Sequence, residues 1–390
     1  MRTFAIAALR RLGIATRPFT MSAAVRQTRM QRWFPGTASP LVVSAPMAFV
    51  TSPKLASEVT RADGLGFIQG GRDFKPDSPT ILALDEQLTH VKTLLRQAGK
   101  PIEPTLPIGV GFILYSDSAS SHFGATAAPI LARHRPAAIW FFAPHPDKPD
   151  TLRHVIESVL LLASPSPSAA ESDWRPRIVV QVGTVAAARE AAEVGAHVIV
   201  AQGADAGGHQ FAKAAGVVSL VPEVCDMLRS EFPEREIAVW GAGGIADGRG
   251  VAALLALGAE GAVMGTRYMV SPESDAQEYK RKALLAAEDG AANTVKSYIH
   301  DQVQGNWTWP LHYDARALVH PSYNDDVAGM DIKENEARYK AAKEKGDFSV
   351  MVTWSGSGVG LIRSAMPAAE VTKVVRDEAV AVIRGLKDMV

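Results

Sequence analysis

A pair of glycines followed by a histidine, Gly207-Gly208-His209, is the part of this sequence best suited to chemistry. It comes a few residues after the apolar run 198–201, which is typical of a buried strand. Adjacent glycines let the backbone approach a ligand closely, because neither carries a Cβ. Histidine titrates near neutral pH, so His209 can accept or donate a proton beside whatever the glycines hold. We therefore predict that His209 is the catalytic residue.

Apolar segments rich in Val and Ile alternate with helical patterns along most of the chain after residue 40. Strands are predicted at 41–47, 65–69, 107–113, 137–142, 178–182, 197–202, 237–240 and 262–268. A helix is predicted after each strand, and the eighth helix is predicted near 276–287. Eight such repeats indicate an α/β fold, a (β/α)8 TIM barrel, with a doubly wound open sheet as the alternative.

The strand ends of such a barrel supply the other candidate residues, because TIM-barrel sites form at the carboxyl ends of the strands. Gly243-Gly244 and Gly265-Thr266 follow the seventh strand and lie within the eighth. Backbone N–H groups at glycine turns and the Thr266 hydroxyl can donate to a phosphate, so we predict a phosphorylated cofactor there. Further candidates near the ends of other strands are Met47, Gln69, Gln181 and Gln202.

The turn 241–246 also matches a dinucleotide-binding glycine pattern. The acidic residue that lies about 20 positions further on, Glu260, precedes the next predicted strand, whereas a ribose-binding acid should follow it. We therefore favour a barrel phosphate site over a Rossmann site.

The N-terminus has a different composition from the rest of the chain. No Asp or Glu occurs before Glu58, whereas seven arginines lie between Arg2 and Arg32. This pattern is typical of a mitochondrial targeting segment, and the alternatives are a poorly ordered extension or a later start codon. Localisation is thus predicted to be mitochondrial, or otherwise cytoplasmic. We assign residues 1–38 to this extension, 39–292 to the barrel and 293–390, where the alternation stops, to a smaller C-terminal cap domain.

Composition excludes several classes of protein. Basic and acidic residues number 41 each, so the formal net charge of zero gives no indication of a nucleic-acid partner. The single cysteine, Cys225, excludes an intrachain disulfide and a multi-cysteine metal site, and no metal is predicted. Apolar runs are shorter than the ~20 residues that cross a bilayer. The sequence leaves the oligomeric state open.

Four motifs together resemble the nitronate monooxygenase family, formerly called 2-nitropropane dioxygenases. They are Ala45-Pro46-Met47 and the segments 202–209, 240–245 and 263–266. The resemblance runs from about residue 40 to the C-terminus, and the stretch 313–318 is more similar to fungal members than to bacterial ones. It implies an FMN-dependent TIM barrel that oxidises alkyl nitronates with O₂ to carbonyl compounds and nitrite, with neutral nitroalkanes as further candidate substrates.

The resemblance also implies roles for the candidate residues. The FMN phosphate would be held by Gly207, Gly208, Gly243, Gly244, Gly265 and Thr266. The ribityl chain or the ring would contact Met47, Gln69, Gln181 and Gln202. His209 would stand beside the flavin as a base or as the partner of an anionic substrate. A nitronate is already an anion and needs only to be oriented, whereas a neutral nitroalkane must first lose its α-proton.

Other functions stay open on the same scaffold. An NAD(P)H:quinone reductase or an enoyl-thioester reductase would use the same flavin barrel, and a non-catalytic flavin-binding protein would need only the phosphate glycines. Two sets of residues could shape the pocket or serve only packing and turns: Ser355 and Ser357, and the aromatic residues Trp307, Trp309 and Tyr313. His145 follows a strand and could be a second site residue, but we favour a structural role for it, and His197 is also interpreted as structural.

Overall fold

The computed structural model describes residues 27–163 and 174–389, and the first 26 residues of the predicted targeting segment lie outside this range. The strands, in chain order, are β1 (Leu41–Ser44), β2 (Phe67–Gly71), β3 (Leu106–Ile113), β4 (Pro136–Phe142), β5 (Arg177–Val182), β6 (Val198–Gln202), β7 (Gly208–Phe211), β8 (Ala238–Ala242), β9 (Gly261–Met264), β10 (Thr294–Ser297) and β11 (Tyr313–Leu318).

Eight of these strands, all except β7, β10 and β11, form one parallel sheet in the order β1-β9-β8-β6-β5-β4-β3-β2. β1 also bonds to the segment that leads into β2. The Leu65 N–H donates to Val42 O at 3.0 Å, and the Ser44 N–H donates to Leu65 O at 3.2 Å. The two ends of the sheet therefore meet, and the predicted TIM barrel is confirmed.

The helices, in chain order, are α1 (Arg29–Trp33), α2 (Pro53–Arg61), α3 (Pro79–Gln97), α4 (Asp117–His122), α5 (Ala127–His134), α6 (Asp150–Ala163), α7 (Val185–Glu193), α8 (Val217–Glu231), α9 (Gly248–Ala256), α10 (Thr266–Met269), α11 (Glu278–Ala286), α12 (Gly290–Asn293), α13 (Ile299–Gln302), α14 (Pro321–Val327), α15 (Ile332–Glu344) and α16 (Ala368–Leu386). Short 3₁₀ turns occupy Phe348–Val350, Ser357–Leu361 and Lys387–Met389. Within the described residues, no helix combines the length and the apolar character needed to cross a membrane.

Aromatic rings fill the inside of the barrel. Phe67 lies 5.2 Å from Trp140 and 6.5 Å from Trp240, measured between ring centroids. Gly109 makes room for Phe67, because a Cβ on Gly109 would lie 2.0 Å from Cε1 of that ring. Strand residues that face outwards, such as Ile139, pack under the helices in the largest hydrophobic cluster. Burial on both faces explains why these strands read as continuous apolar runs.

The eighth barrel helix is α16, and this corrects the prediction that placed it near 276–287. Val371, Val375 and Ala379 of α16 are buried in the main core, at the spacing that lines one helix face. The helix that forms within 276–287, α11, buries Leu284 in a separate small cluster instead. The predicted cap, 293–390, therefore ends before α16, which belongs to the barrel.

The predicted boundary at residue 38 also differs from the structure, because α1 belongs to the fold. Met30 and Phe34 are buried beneath the barrel interior. The Trp240 Nε1–H donates to Met30 Sδ at 3.2 Å, and the Phe34 ring lies 5.7 Å from the Trp240 ring. The folded chain thus begins before residue 39, since these side chains close the barrel at the amino ends of its strands.

The cap is inserted between the eighth strand, β9, and the eighth helix, α16. Its sheet is antiparallel, in the order β10-β11-β7, so β7 joins it from the loop that follows β6. The Gly207-Gly208-His209 motif therefore runs from the barrel rim into a cap strand, in which His209 pairs with Ala315.

The assignment of α16 to the barrel core predicts a large effect of a charge at Val375. The variant Val375→Asp should lower the free energy of unfolding by about 3–5 kcal/mol, because it buries a carboxylate without a partner. Lys373→Asp, at an exposed position of the same helix, is the matched control. Urea unfolding followed by circular dichroism measures both variants, and equal midpoints for the two would contradict this assignment.

His197 predicts a pH dependence of stability. Its Nδ1 accepts from the Ile178 N–H at 3.0 Å, and burial, with Arg177 and Arg235 nearby, lowers the pKa of His197 to about 4. Between pH 6.5 and 4 the unfolded chain binds a proton that the folded chain excludes. The free energy of unfolding should therefore fall by roughly 3 kcal/mol as the pH drops through this window.

The variant His197→Asn should lose this pH dependence, because asparagine does not titrate. Its Oδ1 can still accept from the Ile178 N–H, so the hydrogen bond is kept. His154→Asn, an exposed substitution, should keep the wild-type pH profile of stability. Denaturant unfolding between pH 4 and 8 compares the two variants with the wild type. A wild-type profile for His197→Asn would show that His197 does not cause the pH dependence of stability.

Candidate active site

Glycine-rich turns from separate parts of the chain surround a cavity at the carboxyl ends of β6, β8 and β9. Six of the predicted cofactor residues line it: Gln202, Gly207, Gly243, Gly244, Gly265 and Thr266. Gly356 and Gly358, from the C-terminal part of the cap, line it as well. The fold thus brings together glycines that lie up to 151 positions apart in sequence, from Gly207 to Gly358.

Four of these glycines, Gly207, Gly243, Gly356 and Gly358, leave no room for a Cβ. A Cβ on Gly207 would lie 2.4 Å from the backbone N of Gly356, and a Cβ on Gly243 would lie 2.9 Å from Gly203 O. Gly243 also has a φ of +111°, a conformation that favours glycine. The N–H groups of Gly207, Gly243 and Gly244 have no acceptor among the residues that the structure describes. Free N–H groups around a cavity are suited to bind an anion.

The segment 355–358 closes the cavity, a role that the sequence left undecided for Ser355 and Ser357. The Gly356 N–H donates to Thr266 Oγ1 at 3.0 Å. Ser357 donates to Asp205 twice, from its N–H to the backbone O at 2.9 Å and from its hydroxyl to Oδ1 at 3.1 Å. These bonds join the cap to the turns after β6 and β9. The alternation of Ser and Gly in 355–358 was the signal in the sequence, but it did not show which turns the segment contacts.

The remaining predicted cofactor residues occupy different places. Met47 lies beside the cavity, with its Sδ 3.5 Å from the position that a Cβ on Gly265 would take. Gln69, Gln181 and Gly208 do not line it. Gln181 is held by Trp140, whose Nε1–H donates to Gln181 Oε1 at 3.0 Å. Gly208 has a φ of +70°, which turns the chain into β7 just before His209.

Gln202 connects the cavity to the histidine. Its Nε2 donates to His209 O at 3.3 Å, and its Oε1 is buried without a hydrogen-bond partner in the described chain. A buried polar atom without a partner is costly, so Gln202 Oε1 is suited to accept a hydrogen bond from a ligand.

His209 is paired with an aspartate that the sequence analysis missed. The His209 Nε2 lies 2.8 Å from Asp301 Oδ2 and 3.1 Å from Oδ1. The exposed fractions of the two side chains are 17% and 9%, so the pair is largely shielded from water. Asp301 lies 92 positions after His209 and belongs to no local motif, so nothing in its sequence context identified it.

Two tryptophan side chains pack against the His209 ring. Trp309 stacks on it with 3.8 Å between ring centroids and 11° between planes, and Trp354 lies at 5.0 Å. Tyr313 packs 6.0 Å from Trp309, and burial raises the pKa of Tyr313 above its usual value. A phenol with a raised pKa stays protonated near neutral pH, so Tyr313 is not a candidate base there. Trp307, in contrast, is exposed.

The other histidines considered lie elsewhere. His145 forms a local turn in which its Nδ1 accepts from the Asp147 N–H at 3.2 Å, and His197 lies at the opposite end of the barrel strands. Among the described residues, no group of three His, Cys, Asp or Glu side chains is arranged to hold a metal ion. The site therefore combines a cavity that is suited to bind an anion with a neighbouring His–Asp pair.

Comparison with known proteins identifies the family. The model of the nitronate monooxygenase family matches residues 31–378. A nitronate monooxygenase from Neurospora crassa is 45% identical over 366 residues, which cover 92% of this chain and 94% of that protein. The chain belongs to the nitronate monooxygenase family. It is thus an oxidoreductase of a flavin-dependent family. The similarity to a fungal relative confirms the prediction that the chain is a fungal-type member.

Solved structures agree with the barrel of this nitronate monooxygenase family member. FabK from Thermotoga maritima matches with a TM-score of 0.67 and 22% identity, over 94% of this chain and 100% of that one. A nitroalkane oxidase from Streptomyces ansochromogenes matches with a TM-score of 0.66 and 22% identity, over 92% and 100%. At this level of identity the likeness shows the fold alone.

Proposed function

We propose that the protein binds FMN and uses O₂ to oxidise alkyl nitronates to carbonyl compounds and nitrite. The observation that carries this proposal is Gln202, which lines the glycine cavity and also donates to His209 O. A cofactor in the cavity and a substrate beside His209 would therefore be neighbours. The name of the N. crassa relative, nitronate monooxygenase, supports the same reaction.

The residues around the cavity fit FMN. The free N–H groups of Gly207, Gly243 and Gly244 would hold its phosphate, together with Gly265 and Thr266. Thr266 Oγ1 already accepts from Gly356, which leaves its O–H free to donate to a phosphate oxygen. The unpartnered Oε1 of Gln202 would accept a hydrogen bond from the cofactor. When bound, the flavin supplies the electron transfer between the nitronate and O₂.

His209 would orient the substrate and, for neutral nitroalkanes, remove a proton. Its imidazole can donate to the oxygens of a nitronate anion when it is protonated. When it is neutral, it can take the α-proton of a nitroalkane. The C–H electron pair then forms the C=N bond of the nitronate, and the negative charge moves to the nitro oxygens. A positioned base of this kind contributes about 10²–10⁴-fold to the rate.

Close packing at Gly207 predicts that a methyl group there weakens FMN binding. In Gly207→Ala the new Cβ would push the 355–358 segment away from the cavity, and we expect about tenfold weaker binding. Gly216→Ala is the matched control, because its Cβ would meet its nearest neighbour, Asp205 Oδ2, at 3.7 Å. Titration of the apoproteins with FMN, followed by flavin fluorescence, measures both affinities. Equal affinities would show that Gly207 is not at the cofactor site.

Oxygen uptake tests the reaction and the role of His209 together. Wild-type protein loaded with FMN should consume O₂ with a small alkyl nitronate and release nitrite. His209→Asn should keep FMN but turn over neutral nitroalkanes on the order of 10²-fold more slowly, with a smaller effect on nitronates. His145→Asn, which alters a loop histidine outside the site, should behave like the wild type.

Other outcomes of these assays would indicate a different function. If NADH bleached the flavin, a quinone restored its colour and nitronate had no effect, the protein would be a reductase. Inactivity in both assays would favour a non-catalytic flavin-binding protein. Loss of FMN from His209→Asn would assign this residue to the cofactor site instead of to the base.

A further inference from the structure

The His209 imidazole is held on two sides. Asp301 binds the ring edge at Nε2, and Trp309 covers one ring face. The other ring nitrogen, Nδ1, has no hydrogen-bond partner among the described residues. A neutral imidazole carries one proton, and a carboxylate can only accept a hydrogen bond. The proton of neutral His209 therefore resides on Nε2, and the lone pair is on Nδ1.

Asp301 is itself firmly fixed. It lies in the one-turn helix α13, and its Oδ1 also accepts from Asn306 Nδ2 at 3.1 Å. The backbone O of Asp301 accepts from the N–H groups of Gln304 and Asn306, both at 3.0 Å. The carboxylate therefore has little freedom to turn away from His209.

The residue before Asp301 anchors the same helix in the cap. His300 Nε2 donates to Val295 O at 3.0 Å, so its Nδ1 accepts from His320 Nε2 at 2.8 Å. Both rings are buried. Burial lowers the pKa of His300, and it lowers the pKa of His320 to about 3, so this histidine pair stays neutral near pH 7. It holds α13 in place without adding a positive charge that would compete with His209 for Asp301.

We propose that Asp301 is a positioning residue, which keeps the proton of His209 on Nε2 and leaves Nδ1 to take the α-proton of a neutral nitroalkane. This inference rests on the proposed function. As Nδ1 gains the proton, the C–H electron pair forms the C=N bond of the nitronate and the nitro group takes the negative charge. The imidazolium that results lies next to the Asp301 carboxylate, which stabilises it where little water is present. A nitronate substrate requires no such step, so Asp301 matters less for it.

The variant Asp301→Asn tests the proposal with two measurements. The first is the ¹⁵N chemical shift of both His209 ring nitrogens in the FMN-loaded protein, assigned by comparison with His209→Asn. The wild type should show the proton on Nε2, and Asp301→Asn should show a mixture of tautomers. The second is the pair of kcat/KM values for a neutral nitroalkane and for its nitronate. The nitroalkane value should fall on the order of 10²-fold, and the nitronate value should fall much less.

Asp314→Asn is the control for a purely structural effect. Asp314 is a second buried cap aspartate, and it pairs with Lys296 at 2.8 Å without touching His209. This variant should leave the His209 tautomer unchanged, and its effect on kcat/KM should be the same for both substrates. Asp301→Glu retains a carboxylate, so it should recover part of the nitroalkane activity that Asp301→Asn loses.

Two results would overturn the proposal. One is a wild-type tautomer and wild-type nitroalkane kcat/KM in Asp301→Asn. The other is an equal loss on both substrates with an unchanged tautomer, which would give Asp301 a structural role only. If wild-type protein used neither substrate, the proposed function would fail, and the nitrogen shifts would still show whether Asp301 fixes the tautomer.

Discussion

The return of the chain to the barrel at α16 is the constraint on which the rest of the structure depends. The barrel needs a helix over its eighth strand, and here the whole cap precedes that helix. At the start of α16, the Ala368 N–H donates to Glu273 Oε2 at 3.0 Å, and further along the Thr372 hydroxyl bonds to Tyr268 OH at 2.7 Å. Both ends of the cap are thus attached to the barrel rim near β9. The loops between them are held over the carboxyl ends of the strands, where they complete the site.

The site divides its chemistry between backbone and side chains. Around the cavity, the free hydrogen-bond donors are N–H groups and the Thr266 hydroxyl, none of which is titratable. Such donors keep the same charge at every pH at which the protein folds. Beside His209 the groups are instead an imidazole and a carboxylate, which are joined by a hydrogen bond at His209 Nε2. Gln202 separates the two environments with a neutral side chain that touches both.

Local sequence patterns predicted the parts of the structure that local physics determines. The eight barrel strands are continuous apolar runs because both faces are buried, and Gly207 and Gly243 were identifiable because turns at strand ends need them. The prediction of the eighth helix was wrong because 276–287 is the first helical pattern after the eighth strand. The helix that packs on the barrel is α16, because it has an apolar face wide enough to do so and α11 has not. Asp301 and the contacts of 355–358 could not be predicted, since each depends on a cap segment that crosses to a turn far away in sequence.

His209 is positioned by the cap as much as by the barrel. It lies in β7, which pairs with β11, and Lys296 on β10 fixes the end of β7 by donating to Phe211 O at 2.9 Å. Asp301 follows β10 directly in the same small unit. The histidine and its carboxylate therefore share one support, so their mutual geometry survives a shift of the cap relative to the barrel. The glycine cavity depends on both parts of the chain, because Gly356 and Gly358 of the cap form one wall and the barrel turns form the other. A displacement of the cap would consequently open the cavity before it separated His209 from Asp301.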